Sequence, residues 1–141
     1  MLLYIDNSVL NRPFDDQRQP RIWLETLSFS LVLTMIEAGE ATLIRSPVHE
    51  LENSRNPFPL RKRWIAKCLE LSRASVELNQ AVASRALELQ ASGIMALDAL
   101  HLACAENGGA KIFLTCDDRL IKRYFGKMIV QSPVTFTTAL S

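Results

Sequence analysis

Short apolar runs alternate with stretches of helical periodicity along this chain, and that alternation limits the fold more than any other feature. Leu2-Leu3-Tyr4-Ile5, Ala41-Thr42-Leu43-Ile44, Val76-Glu77-Leu78, Lys111 to Thr115 and Met128-Ile129-Val130 read as strands, rich in β-branched and aromatic residues. Pro20 suits the first turn of a helix in which Leu24, Leu27, Leu31 and Met35 recur at helical spacing, with Val32 and Ile36 widening the face and Gly39 just past its end. Ser46-Pro47 reads as a cap followed by a first-turn proline, and His49 stands where a capping box would carry an acid. Further helices are predicted over Leu60 to Ser72, from Asn79 to Gly93, from Ala96 to Glu106, and from Asp117-Asp118 to Tyr124. Strands alternating with helices imply an α/β fold of three α/β/α layers, with a central parallel sheet of about five strands covered on both faces.

A chain of 141 residues is expected to form one domain spanning 1–141. Its formal net charge of +1 makes no case for or against a nucleic-acid partner, so any such case rests on local clusters. Cys68, Cys104 and Cys116 form no CxxC pair and show no zinc-ligand spacing with His49 or His101. They read as reduced core thiols of a cytosolic protein. Asp6 interrupts the N-terminal apolar run, so no signal peptide is expected, and no run approaches the roughly 20 apolar residues of a membrane helix. The expected location is the cytoplasm, with no membrane partner.

Four acids stand out by position. Asp6 ends the first strand, Glu50 lies in the helix after the second, Asp98 sits early in the apolar helix MALDALHLACA, and Asp117 follows the strand KIFLT. Parallel strands share one carboxyl edge, where such sheets bind ligands. Clustered carboxylates raise one another's pKa, and a cation removes that cost. Without thiolate or convincing histidine ligands the donor set suits Mg²⁺ or Mn²⁺, ions that activate water and steady the charge of a phosphodiester. Each acid also has a plainer reading. Asp6, Asp117 and Asp118 are good helix caps, and Glu50 and its neighbour Glu52 resemble solvated helix residues. His101 reads as a packed or hydrogen-bonded histidine. Ser8 and Thr115 are hydroxyls placed either to bond a carboxylate or to tie their own turns.

YIDNSVL, SPVHEL, ALDALHLACA and FLTCDDRL, in that order, resemble the motifs of PIN-domain ribonucleases, and most closely the VapC-type toxins of bacterial toxin–antitoxin pairs. The resemblance spans nearly the whole chain; the third and fourth stretches, DALHLACA and FLTCDDRL, are its more specific parts. It implies a PIN-like fold and Mg²⁺- or Mn²⁺-dependent endonucleolytic cleavage of single-stranded or looped RNA. It carries the catalytic, metal-ligand role to Asp6, Glu50, Asp98 and Asp117, with Ser8 and Thr115 in support and Asp118 able to share the fourth acidic role. It further implies a homodimer neutralised by a separate antitoxin protein.

Two basic groups offer themselves to phosphates. Arg119, Lys122, Arg123 and Lys127 adjoin Asp117 and are expected to contact RNA, whereas Arg61, Lys62, Arg63, Lys67 and Arg73 read as a solvated helix face. Two other functions compete. A phosphatase working through an aspartyl-phosphate would want a second acid two residues after Asp6, where Ser8 stands. A catalytically inactive PIN-like module would bind RNA or protein without cutting it.

Overall fold

Alternation along the strands decides which side chain meets which layer. In the computed structural model, which describes residues 1–140, five strands pair in the order β3-β2-β1-β4-β5, every pair parallel. They are β1 (Leu2–Ile5), β2 (Thr42–Arg45), β3 (Ala74–Ser75), β4 (Ile112–Leu114) and β5 (Ile129–Gln131). Leu3 and Ile5 point to one face of β1 and join Ile112 and Leu114 of β4, Leu43 and Phe29 in one apolar core. Tyr4, Phe113 and Ile44, one residue out of step, point to the other face and pack with Leu102, Leu89 and Val48. Two apolar layers on one sheet require helices on both sides, and the chain supplies them. The first core takes α1 (Asn7–Asn11), α2 (Pro20–Glu37), α4 (Pro59–Leu69) and α8 (Pro133–Thr138). The second takes α3 (Pro47–Ser54), α5 (Gln80–Ala91), α6 (Ala96–Asn107) and α7 (Asp118–Arg123).

The strand order places the site. Chain order runs outward from β1 to β2 and β3, then returns to β4 on the opposite side of β1. The reversal lies between the carboxyl ends of β1 and β4, the crevice where open α/β sheets take their ligands. Asp6 and Asp117 follow those two strands. The Asp6 N–H donates to the Leu114 carbonyl at 3.1 Å, carrying the β1–β4 pairing one residue past the strand.

Some predicted elements shift. The third strand is Ala74–Ser75, not Val76 to Leu78, because β2 ends at Arg45 and its register pairs Ile44 with Ala74 and Arg45 with Ser75. The face predicted for α2 turns. Ile22, Phe29, Val32, Met35 and Ile36 are buried, while Leu24, Leu27 and Leu31 are 47%, 47% and 46% exposed. That helix is apolar nearly all round, so spacing alone offers two faces. The buried one also takes Glu25, 1% exposed, whose carboxylate meets Arg12 at 2.9 Å and Arg21 at 3.5 Å. Helices α1 and α8 and a 3-10 turn at Arg12–Phe14 lie in segments left without structure by periodicity. All three cysteines are free and buried. Among the described residues no helix is long and apolar enough to cross a membrane.

Candidate functional site

Asp6 is 4% exposed and does two jobs with one carboxylate. Its Oδ1 caps α1, accepting the N–H groups of Ser8 at 3.0 Å and Val9 at 3.4 Å, and it also accepts the Ser8 hydroxyl. Burial pushes the carboxyl above its ordinary value, against the pull of the Ser8 and Thr115 hydroxyls. The Ser8 Oγ in turn accepts the Cys116 N–H at 3.1 Å and lies 3.5 Å from the Thr115 hydroxyl. Thr115 Oγ1 accepts the Asp117 N–H at 3.1 Å, and Asp117 caps α7 through the N–H groups of Arg119 at 2.9 Å and Leu120 at 3.4 Å. Two small hydroxyls thus stitch the ends of β1 and β4 together and fix both aspartates at the crevice. The capping reading of Asp6 and Asp117 holds, and both residues also line the crevice.

Asp98 comes from the first turn of α6. Its carboxyl is pushed up to about 6, first by burial and then by the negative charges of Asp6, Asp117 and Glu52, with His101 pulling the other way. Burial and the three neighbouring carboxylates thus act on Asp98 in the same direction.

Glu50 does not join it. The side chain is exposed and is bound by Arg45, whose Nε donates to Oε1 at 2.9 Å. Glu52 takes the place, lining a cavity of about 130 Å³ with Asp6, Asp98, Asp117, Ser8 and His101. A helix turns about 100° per residue, so positions 50 and 52 face nearly opposite ways. His49 decides which faces inward. It is 0% exposed, its Nδ1 accepts the Ser46 N–H at 3.1 Å in the role a capping-box acid would fill, and its Nε2 donates to the Ile5 carbonyl at 2.7 Å. Three residues on, Glu52 shares that inward side. His49 also stacks on Tyr4, centroids 4.5 Å apart. Burial first, then His101 and Arg45, holds its pKa down to about 3, so it stands neutral as part of the scaffold.

Asp118 is likewise outside the cavity. Arg21 clamps it with two hydrogen bonds, 2.7 and 2.8 Å, and holds its carboxyl below the usual range. Arg119 and Arg123 line an adjoining cavity of about 140 Å³ that also contains Asp98 and Asp117. Arg123 spends one donor on the Gly93 carbonyl at 2.9 Å. Lys122 is exposed on the same short helix. Arg61, in the other basic group, is committed to the fold: it meets Asp15 at 3.0 Å and the Phe14 carbonyl at 2.9 Å, and lies over the Phe58 ring.

Among the described residues no three His, Cys, Asp or Glu side chains stand close enough to form a ready-made metal cage. The donor set still fits a hard cation. All four acids around the cavity are oxygen donors, and Mg²⁺ keeps several waters, needing only one or two carboxylates besides its substrate.

A model of the PIN domain matches residues 3–126. The chain belongs to the PIN-domain family. PIN domains are generally nucleases, and PIN-domain nucleases generally use divalent metals. A solved structure, VapBC2 from Rickettsia felis bound to a DNA fragment from their promoter, contains a chain similar to this PIN domain with a TM-score of 0.60. The likeness covers 94% of this chain and 98% of that one at 14% identity, and at that identity it speaks for the fold. No curated protein matches the sequence.

Proposed function

We propose that this PIN domain is a Mg²⁺- or Mn²⁺-dependent endoribonuclease that cuts single-stranded or looped RNA, and that it serves as the VapC-type toxin of a toxin–antitoxin pair. The observation that carries the reading is the convergence of Asp6, Glu52, Asp98 and Asp117, from four separate elements, on one cavity at the switch point of the sheet. Asp98, pushed up to about 6 by burial and by the other acids, is held in a state that a cation relieves.

One or two of these four carboxylates would hold the metal directly and the others through its waters. When bound, it supplies Lewis acidity to an attacking water and to the phosphate. The chain does the rest. Ser8 and Thr115 fix the orientation of Asp6 and Asp117. Arg119 and Arg123, with Lys122 beside them, offer positive charge to phosphates flanking the cut. The carboxylates are assigned to the metal and both His101 ring nitrogens are already hydrogen-bonded, so no separate general base is assigned.

A cytoplasmic homodimer and a separate antitoxin chain belong to the same proposal. Trp23, Leu24, Leu27 and Leu31 on α2, exposed between 46% and 51%, support a partner on that face. The inactive-module reading has less support, because the cavity keeps four acids and the hydroxyls that hold two of them. Purified protein on end-labelled RNA, with Mn²⁺ or with chelator, tests the proposal. Cutting that needs Mn²⁺ and is lost in Asp6→Asn is expected; metal-independent cutting, or none, removes it.

A further inference from the structure

His101 is 1% exposed and carries a hydrogen-bond partner on each ring nitrogen. Nε2 lies 2.9 Å from Glu52 Oε1, and Nδ1 lies 2.6 Å from the Tyr4 hydroxyl. That hydroxyl is 2.7 Å from the Ser46 hydroxyl. With the ring neutral, one arrangement of protons satisfies every contact: Ser46 donates to Tyr4, Tyr4 donates to Nδ1, and the Nε2 hydrogen is donated to Glu52. The chain runs from the N-cap of α3, through β1 and α6, and back to the second turn of α3. The Tyr4 ring is fixed within it by stacking on Phe113, centroids 5.2 Å apart, and on His49. His101 sits one turn beyond Asp98 on α6, so a single helix supplies one acid to the cavity and the donor that orients another.

We infer that His101 is a positioning residue: through Nε2 it holds the Glu52 carboxylate over the acidic cavity, and Tyr4 and Ser46 lock the ring in the tautomer that can do so. Glu52 is part-exposed, with a side chain 34% accessible, and its long side chain has rotamers that leave the cavity. Without a fixed donor, ordering it on a cation costs more. The inference rests on the metal-dependent reading of the site.

The test compares three variants by the free Mn²⁺ signal in electron spin resonance, with melting in chelator as a check on the fold. His101→Gln can place an N–H where Nε2 stands and keep the bond to Glu52. His101→Asn reaches only toward Tyr4. Tyr4→Phe keeps both ring stacks and removes only the hydroxyl. The Mn²⁺ dissociation constant should rise roughly 10- to 100-fold in His101→Asn, the range usual for a lost outer partner of a ligand. It should rise much less in His101→Gln, and by an intermediate amount in Tyr4→Phe. A purely structural histidine would lower the chelator melting temperature of the Asn and Gln variants alike without separating their Mn²⁺ affinities, and that result overturns the inference. If neither His101 variant folds, Tyr4→Phe decides: weakened Mn²⁺ binding supports the inference and unchanged binding overturns it. A wild type that binds no Mn²⁺ removes the metal-dependent reading and this inference together, whereas a wild type that binds it beside three unaltered variants removes this inference alone.

Discussion

At Asp98 the sign of the pH effect follows from the direction of the shift. Its folded-state pKa, about 6, lies above the ordinary carboxylate value of 3.8, so between those values the folded chain holds a proton that the unfolded chain has lost. Stability from this group is therefore present at low pH and lost as pH rises through that window. In chelator, Asp98→Asn should gain melting temperature relative to wild type between pH 4 and pH 7, and a difference that stays flat across paired thermal scans would contradict the shift. Glu52→Gln should lower kcat/KM on RNA by more than the roughly 10- to 100-fold typical of an outer partner, while Glu50→Gln, whose carboxylate belongs to Arg45, should cut like wild type. Equal losses in both would return Glu50 to the site. Asp6, Asp98 and Asp117 were legible because each stands at a strand end or in an apolar helix. The choice between Glu50 and Glu52 was not, since it depends on His49 turning inward, and a histidine three residues past a serine cap is not read as a capping box.

Among the elements, α7 carries Arg119, Lys122 and Arg123 of the basic group beside the cavity, and α4 carries Arg61, Lys62, Arg63 and Lys67 of the other, where Arg61 is taken by Asp15 and the Phe14 carbonyl. Arg119→Glu with Lys122→Glu should weaken RNA binding and reduce the slope of log affinity against log salt by about two, one for each phosphate contact. Arg61→Glu should leave that slope unchanged and instead lower the melting temperature, because its guanidinium bridges Asp15 and the Phe14 carbonyl. A filter-binding salt titration separates the two, and a larger slope change from Arg61 would move the RNA path to α4. At this scale the strands β1, β2 and β4 and the long helices were legible from their apolar periodicity. The inward face of α2 was not, because a helix carrying leucines on two sides leaves the choice to tertiary packing; Glu25 is drawn inward by Arg12 and Arg21, against its own polarity. Nor was β3, only two residues long and defined by its ladder with β2.

For the molecule as a whole, a cation that binds only the folded form stabilises it by mass action, about 2.7 kcal/mol at a hundredfold excess over the dissociation constant. In a domain of this size that is a rise of roughly 10 °C in melting temperature on adding Mn²⁺. Asp98→Asn should lose most of the rise, and a wild type whose melting ignores Mn²⁺ and chelator would count against the site. The exposed leucines of α2 give a second expectation. Leu27→Glu should convert a homodimer to monomer in sedimentation velocity while leaving the chelator melting curve two-state. A wild type already monomeric at micromolar concentration would send that face to another partner. The strand order has a consequence for how the protein comes into being. β1 is made before the other four strands, yet its place is the middle of the sheet, and Leu3 waits for Ile112 before its second neighbour exists. At about 5–20 residues per second of synthesis, that wait lasts roughly 5 to 20 seconds. Asp6 is made long before Asp117, so a nascent chain that stops short of Lys111 has β2 beside β1 and three acids of the cavity, but neither β4 nor Asp117 to complete it. On the proposed function, a growing polypeptide cannot cut RNA until β4 and Asp117 have been made.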